Sequence, residues 1–196
     1  MRLLDREFVI YSYCNQESMK REWPDQEISI LREQTSDKDP EVRRLAAFKI
    51  GNSGDKGSID YLIKLLEDED STVRSYAAGA LRIGDESTSK YLIKCLQDEE
   101  NGVVGSAIQA LGQITWENEE AIRSIGRFLH SADNHLVMAA IYALNEIGRK
   151  RNHLGLGNEV TIDCLLLAHE HLDEHPSKRV RWALQGCGYD VACLES

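Results

Sequence analysis

Residues 70–84 read DSTVRSYAAGALRIG, and residues 39–51 read DPEVRRLAAFKIG. Both stretches place an aspartate three residues before a valine, an arginine directly after it, and a pair of alanines three residues beyond the arginine. The two valines, Val42 and Val73, are 31 residues apart, which is a period typical of helical repeat proteins. Weaker copies of the pattern follow, with equivalent apolar anchors at Val103, Leu136 and Val180.

The apolar residues inside one repeat recur at steps of three and four, which indicates two amphipathic helices. The two stripes of the first complete repeat are formed by Ile59, Leu62, Ile63 and Leu66, and then by Val73, Ala77, Ala80 and Leu81. Because one helix pair cannot bury its stripe alone, the pairs are expected to stack. The sequence therefore predicts an all-α fold, a right-handed α-solenoid of about five helix pairs.

We expect residues 1–196 to form a single domain. Residues 1–24 are predicted to be an N-terminal cap, in which Trp23 covers the first repeat, and residues 25–190 are predicted to hold the repeats. The gap before the last anchor exceeds the repeat period, and the extra residues predict an inserted basic loop over 149–158.

Polar residues and glycines mark the predicted helix ends. Asp39, followed by Pro40, and Asp70 each precede an apolar stripe and are predicted N-caps. Gly51, Gly84 and Gly148 lie at the ends of stripes and are predicted to end helices.

The motif D-x-x-V-R-x-x-A-A, followed by A-L-x-x-I-G where complete, resembles the HEAT-repeat family, and specifically the short HEAT-like repeats of the phycobilisome-lyase type. The resemblance covers roughly residues 25–190. It implies a ladder in which the Asp and Arg of the motif link successive repeats. The matching pairs are Asp39 with Arg43 and Asp70 with Arg74, whereas Val104 and Val137 replace the arginine in the next two copies.

The composition excludes several classes of function. Acids outnumber bases 33 to 23, giving a net charge of −10, which argues against nucleic acid as a direct partner. No apolar run approaches the ~20 residues that a membrane span needs. The five cysteines are odd in number and form no Cys-x-x-Cys pair, so we expect a reducing compartment, the cytoplasm.

Two groups of residues are candidates for binding a partner. The acids of two equivalent turns are expected to align on one edge as a docking rim, and they are Glu67, Asp68, Glu69, Asp98, Glu99 and Glu100. Ordinary turn solubility is the alternative explanation for these acids. The second helix of each repeat is expected to present Tyr76, Gln109 and Tyr142 on a concave surface.

The string His171-x-x-Glu174-His175 fits the inverted zincin pattern formally. Pro176 follows it directly, and no third ligand is evident, so a solvated helix end is the favoured interpretation. We expect no catalytic residue, metal or cofactor in this chain.

Two functions remain open at this point. The first is a non-enzymatic protein-binding module, monomeric when free, and in its most specific form an acidic inhibitor or immunity protein that neutralises a basic protein such as a toxin nuclease. The alternative is a bilin-lyase-like protein that binds a tetrapyrrole or its apoprotein, which would need a deep apolar groove.

Overall fold

The computed structural model describes residues 23–169 and 174–194. Within these ranges the regular elements are helical. The α-helices are α1 (Asp25–Gln34), α2 (Pro40–Ser53), α3 (Ile59–Leu65), α4 (Ser71–Ala80), α5 (Ser89–Cys95), α6 (Asn101–Ile114), α7 (Glu119–Gly126), α8 (Asn134–His153), α9 (Glu159–His169) and α10 (Glu174–Gly186). Single 3₁₀ turns extend several of them, at Lys56–Ser58, Leu81–Ile83, Glu86–Thr88 and Arg127–His130, and a separate one lies at Val191–Leu194.

The helices form five successive pairs, from α1–α2 to α9–α10. The second helices α2, α4, α6, α8 and α10 pack on one another in that order, and each first helix packs on the second helix of its own pair. The predicted all-α solenoid is thereby confirmed. The proposed cap falls largely on residues 1–22, outside the described ranges, and Trp23 is partly buried against the core.

The buried core follows the predicted stripes. The anchors Val73, Val103, Leu136 and Val180 are at most 5% exposed, whereas Val42 in the first pair is only half-buried. Leu62, Ala77 and Leu81 are fully buried between neighbouring pairs. Side chains from adjacent repeats thus share one continuous core, as expected of a stacked array.

Side-chain caps hold the second helices at their N-termini, as predicted for Asp39 and Asp70. The Asp39 carboxylate accepts a hydrogen bond from the Glu41 N–H, and the Asp70 carboxylate accepts from Thr72 and Val73. Asp133 caps α8 in the same way, through the His135 N–H. Glu100, at the equivalent position before α6, makes no side-chain cap.

Two of the three glycines do not end helices. α2 continues beyond Gly51 to Ser53, and α8 continues beyond Gly148 to His153. A Cβ on Gly51 would lie 2.8 Å from the Cβ of Ala80, so this glycine permits close approach of α2 and α4. A Cβ on Gly148 would collide with the Sγ of Cys187. Gly84 follows the 3₁₀ turn after α4, as predicted.

The predicted loop over 149–158 is also corrected, because α8 extends through its first half. Arg149 lies 3.7 Å from Glu146 on the same helix. The buried Arg151 donates to the carbonyl oxygen of Trp116 at 2.6 Å, which anchors α8 to the preceding repeat. The connection to α9 is therefore only residues 154–158.

A ladder of arginine–aspartate pairs joins the first three repeats, with different acids from those expected. Arg43 donates two hydrogen bonds to Asp68, both at 2.7 Å, and Arg74 donates two to Asp98 at 2.8 and 2.9 Å. The acid comes from the following repeat's turn in each case. Asp39 and Asp70 are instead occupied as helix caps.

Each ladder arginine also binds its own turn. Nη1 of Arg74 donates to the carbonyl oxygens of Asp68 and Glu69 at 3.0 and 3.3 Å. Nη1 of Arg43 donates to the corresponding carbonyls of Asp37 and Lys38. One guanidinium therefore fixes two successive turns relative to each other.

These contacts lower the pKa values of the ladder carboxylates, Asp68 and Asp98. The hydrogen bonds from Arg74 hold the pKa of Asp98 below its ordinary value. Burial would raise the pKa of Asp68, but hydrogen bonds from Arg43 and the Asp70 N–H outweigh it, and the pKa is lowered. Since the folded pKa lies below the unfolded one, the pairs stabilise the fold above about pH 4 and lose that effect as pH falls further.

The cap at Asp70 provides a test of stability with a matched control. We expect Asp70→Ala to lower the midpoint of thermal unfolding by about 2–4 °C, because two helix N–H groups lose their acceptor. Glu100→Ala, one repeat later, should leave the midpoint unchanged, since that side chain makes no cap. Circular dichroism melts of both variants would contradict the assignment if the two midpoints moved equally.

The ladder predicts a pH-dependent loss of stability. Arg74→Met should reduce the free energy of unfolding by about 2 kcal/mol at pH 7, where Asp98 is charged and left without its donor. Between pH 5 and pH 2 the difference from the wild type should shrink, because protonated Asp98 no longer needs a cation. Urea unfolding followed by circular dichroism measures this quantity.

The control for that measurement is Arg127→Met, which removes an exposed arginine with no ion pair among the described residues. It should change stability little at any pH. A difference between Arg74→Met and the wild type that stayed constant from pH 7 to pH 2 would show that the pair with Asp98 does not contribute through charge.

Candidate functional site

The six acids predicted to form a docking rim divide into two groups. Asp68 and Asp98 are held in the ladder, and their side chains are only 8% and 13% exposed. Glu67, Glu69, Glu99 and Glu100 are exposed, and the side chains of Glu69 and Glu99 retain 91% and 87% of their accessible area. The two aspartates are thus structural, and we refer to the four glutamates as the glutamate rim.

The ladder sets the positions of the glutamate rim. The carboxylate of Glu69 lies 3.7 Å from the Arg43 guanidinium, and that of Glu99 lies 4.0 Å from Arg74. Both contacts are at the surface, where an ion pair stabilises little and a partner's cation can replace it. Asp133 lies at the equivalent turn of the next repeat, where it accepts from the Asn101 amide at 2.7 Å.

Two pairs of aromatic side chains lie on the second helices. The rings of Tyr76 and Phe48 meet edge to face with centroids 6.0 Å apart, and the Arg44 guanidinium lies 4.9 Å from the Tyr76 centroid. Tyr142 meets Trp182 in the same way at 5.6 Å. Phe48 and Trp182 were not among the predicted residues, although Phe48 stands six positions after its anchor, as Tyr142 does.

Gln109 lies between these aromatic pairs and lines a groove of about 360 Å³ at the surface where α6 packs on α8. On the α6 side, the groove is bordered by Gly102 and Gly105, where the other second helices carry larger side chains. Tyr76, Gln109 and Tyr142 belong to three successive second helices, α4, α6 and α8, whose outer face we call the second-helix surface. Together with the glutamate rim along its edge, this surface is the candidate binding site.

The described residues include buried thiols but no cluster of metal-ligating side chains. No group of three His, Cys, Asp or Glu side chains in these ranges is arranged to hold a metal ion. Burial raises the pKa of the Cys95 thiol to about 11 and that of Cys187 to about 12, so neither is an activated nucleophile. The side chains of His171, Glu174 and His175 fall outside the described residues.

The helices within the described ranges include none with both the length and the apolar character required to cross a bilayer.

Comparison with known proteins agrees with this architecture. A family profile for HEAT repeats matches residues 28–112. No curated protein sequence matches the chain.

Several solved structures share the fold at low sequence identity. A chain in the complex of CpcE and CpcF of phycocyanin lyase from Nostoc sp. PCC7120 is 18% identical, with a TM-score of 0.63 over 82% of this chain and 99% of that one. A designed armadillo repeat protein in complex with the peptide (KR)4 is 20% identical, with a TM-score of 0.58 over 83% and 82%. An engineered protein is 22% identical, with a TM-score of 0.59 over 84% and 80%.

The matched segment begins in α1 and ends in α6, and it includes both rungs of the arginine–aspartate ladder. The pairs α7–α8 and α9–α10 continue the same packing order beyond it. Residues 28–112 of this chain therefore match HEAT repeats in sequence, and the helix pairs that follow continue the same packing into one α-solenoid.

Proposed function

We propose that this chain is a non-enzymatic protein-binding scaffold whose glutamate rim docks a basic segment of a partner protein. In its most specific form it is an acidic inhibitor, such as an immunity protein that neutralises a basic toxin nuclease. The thiols of Cys95, Cys164 and Cys187 are free, which is compatible with work in a reducing compartment such as the cytoplasm.

One observation carries this proposal, namely the difference in exposure among the acids of the two turns. The aspartates of those turns are neutralised inside the fold, while the neighbouring glutamates remain open to solvent. The ladder needs one acid for each turn, so the additional exposed glutamates have no structural partner of comparable strength. They are available to a cation from another molecule.

The spacing of the rim suits an extended basic segment. Equivalent glutamates belong to turns that the ladder holds at a fixed separation, so successive cations of one segment can meet successive turns. Such a rim would raise the association rate by long-range attraction. The designed armadillo repeat protein solved with (KR)4 supports this assignment, because an alternating Lys–Arg peptide is bound there by a protein of similar fold.

The second-helix surface would add affinity once the basic segment is in place. Tyr76 and Tyr142 are half-buried, and their remaining accessible area offers aromatic contacts, which are enriched at binding hot spots. Gln109 offers both an amide donor and an acceptor within the groove between α6 and α8. These residues would mainly determine how long a partner stays bound.

Charge reversal of the rim tests the proposal. A variant with lysine at positions Glu67, Glu69, Glu99 and Glu100 should bind a labelled (KR)4 peptide at least tenfold more weakly than the wild type at about 50 mM salt. The difference should shrink as added salt shortens the Debye length. Fluorescence anisotropy titrations measure both affinities.

The matched control reverses four exposed acids elsewhere, producing the same change in net charge: Glu117, Glu119, Glu120 and Asp163, each replaced by lysine. This control should retain most of the affinity. If both variants lost the peptide equally, overall charge alone would explain binding, and the rim would be a solubility device.

The tetrapyrrole alternative rests on the likeness to the phycocyanin lyase complex, which shows the fold alone. The groove between α6 and α8 is lined largely by glycine, serine and polar side chains. Bilin sites are expected to enclose more apolar surface. A visible absorbance shift on adding a bilin to the wild type, with no response to (KR)4, would favour the alternative over the proposed function.

A further inference from the structure

The cations of the central repeats are concentrated on one side of the molecule. Residues 61–146 contain 14 acids and only 7 bases. Arg74 is held in the ladder, and Arg82 donates to Gly51 and Asn52 on the second helices. The other five all belong to first helices or to the 3₁₀ turn that continues α7, and they are Lys64, Lys90, Lys94, Arg123 and Arg127.

These cations recur in repeat register. Lys64, Lys94 and Arg127 occupy one equivalent position in three successive repeats, and Lys90 and Arg123 share another. All five side chains are exposed. In the three central repeats the first-helix side thus carries these five exposed cations against three exposed acids, Asp60, Glu119 and Glu120, in a protein whose net charge is −10.

A groove of about 510 Å³ lies within this cationic side, between α5 and α7. Three partly buried side chains, Ile93, Leu96 and Phe128, give it an apolar floor. Arg123 and Arg127 stand on one wall, one helical turn apart. We call this feature the arginine groove.

The two arginines of the groove are available to a ligand. Arg123 has only a surface contact with Glu119, at 3.7 Å, and its side chain is 59% exposed. Arg127 is exposed and has no ion pair within the described residues. Planar guanidinium groups bind carboxylates through two parallel hydrogen bonds, so a pair one turn apart suits two nearby carboxylates.

We propose that the arginine groove docks an acidic segment of a second partner protein, one that carries an apolar anchor between its carboxylates. The carboxylates pair with Arg123 and Arg127, and the anchor covers Ile93, Leu96 and Phe128. The groove shares no residue with the glutamate rim, although Gln97 at its edge lies two residues before Glu99. The scaffold would therefore hold an acidic segment in the groove and a basic segment on the rim.

The composition of the groove distinguishes this occupant from other anions. A nucleic acid would bring a continuous row of phosphates and would leave the apolar floor, formed by Ile93, Leu96 and Phe128, unfilled. A small inorganic anion would leave that floor uncovered as well. An acidic segment with a Leu or Phe side chain meets both the cations and the floor.

The probe for the test is a rhodamine-labelled peptide, Asp-Asp-Leu-Phe-Asp-Asp, titrated at about 50 mM salt and followed by anisotropy. The double variant Arg123→Glu, Arg127→Glu should bind it at least tenfold more weakly than the wild type. The control Lys38→Glu, Arg149→Glu makes the same charge change at two exposed cations outside the groove and should stay within about twofold.

A second peptide, in which Ser replaces Leu and Phe, tests the apolar floor and should also bind at least tenfold more weakly. Equal loss in the two protein variants, or equal affinity for the two peptides, would overturn the proposal. If single-stranded DNA displaced the peptide completely, the groove would be a general anion site, and the proposal would be overturned too. The proposal would also be overturned if the wild type dimerised with rising concentration and the groove variant did not, because the occupant would then be a second copy of the chain.

The two proposals can fail separately. The four-lysine rim variant should bind the acidic peptide at least as tightly as the wild type, and the groove variant should still bind (KR)4. Circular dichroism melts confirm that each variant is folded before its affinity is interpreted.

Discussion

The hydrogen bonds of Arg43 and Arg74 are the constraint on which the candidate surface depends. Each guanidinium binds the carboxylate of the next repeat's turn and the carbonyl oxygens of its own, and the charged pair is only about one-tenth exposed. Two-point contacts of this kind fix orientation as well as distance. The turns that carry the glutamate rim are therefore held in a set spacing by polar contacts that lie beneath them.

The architecture could be predicted from the sequence because the repeat period and the apolar stripes are local signals. Leu62, Val73 and Leu81 are buried where the three- and four-residue steps place them. The glycines were harder to interpret, because Gly51 has the same sequence context whether it ends a helix or permits close packing. Only the position of Ala80 on the neighbouring helix distinguishes the two, and that is tertiary information.

The division of the acids was not predicted, although the sequence contains a signal for it. The positions equivalent to Asp68 and Asp98 in the flanking repeats are Asp37 and Ser131, whereas the cap acid persists as Asp133. At the next interface, Ser131 occupies the position of the ladder acid and Val104 the position of the ladder arginine. Because the arginine and this acid are lost at the same interface, the acids that pair with the arginines are Asp68 and Asp98, and not Asp39 and Asp70. Their exposure, however, depends on how the turns stack.

The interface between α6 and α8 lacks an arginine–aspartate pair and carries a groove on the second-helix surface. Val104 is buried in apolar contact, and the groove lined by Gly105 and Ser106 lies between the same two helices, α6 and α8. An arginine–aspartate pair needs both partners to be retained, since a single buried charge is costly. Replacing the pair by Val104 and Ser131 removes that requirement. The two ladder interfaces therefore keep the rim in register, while the third is free to present a recessed surface of different composition.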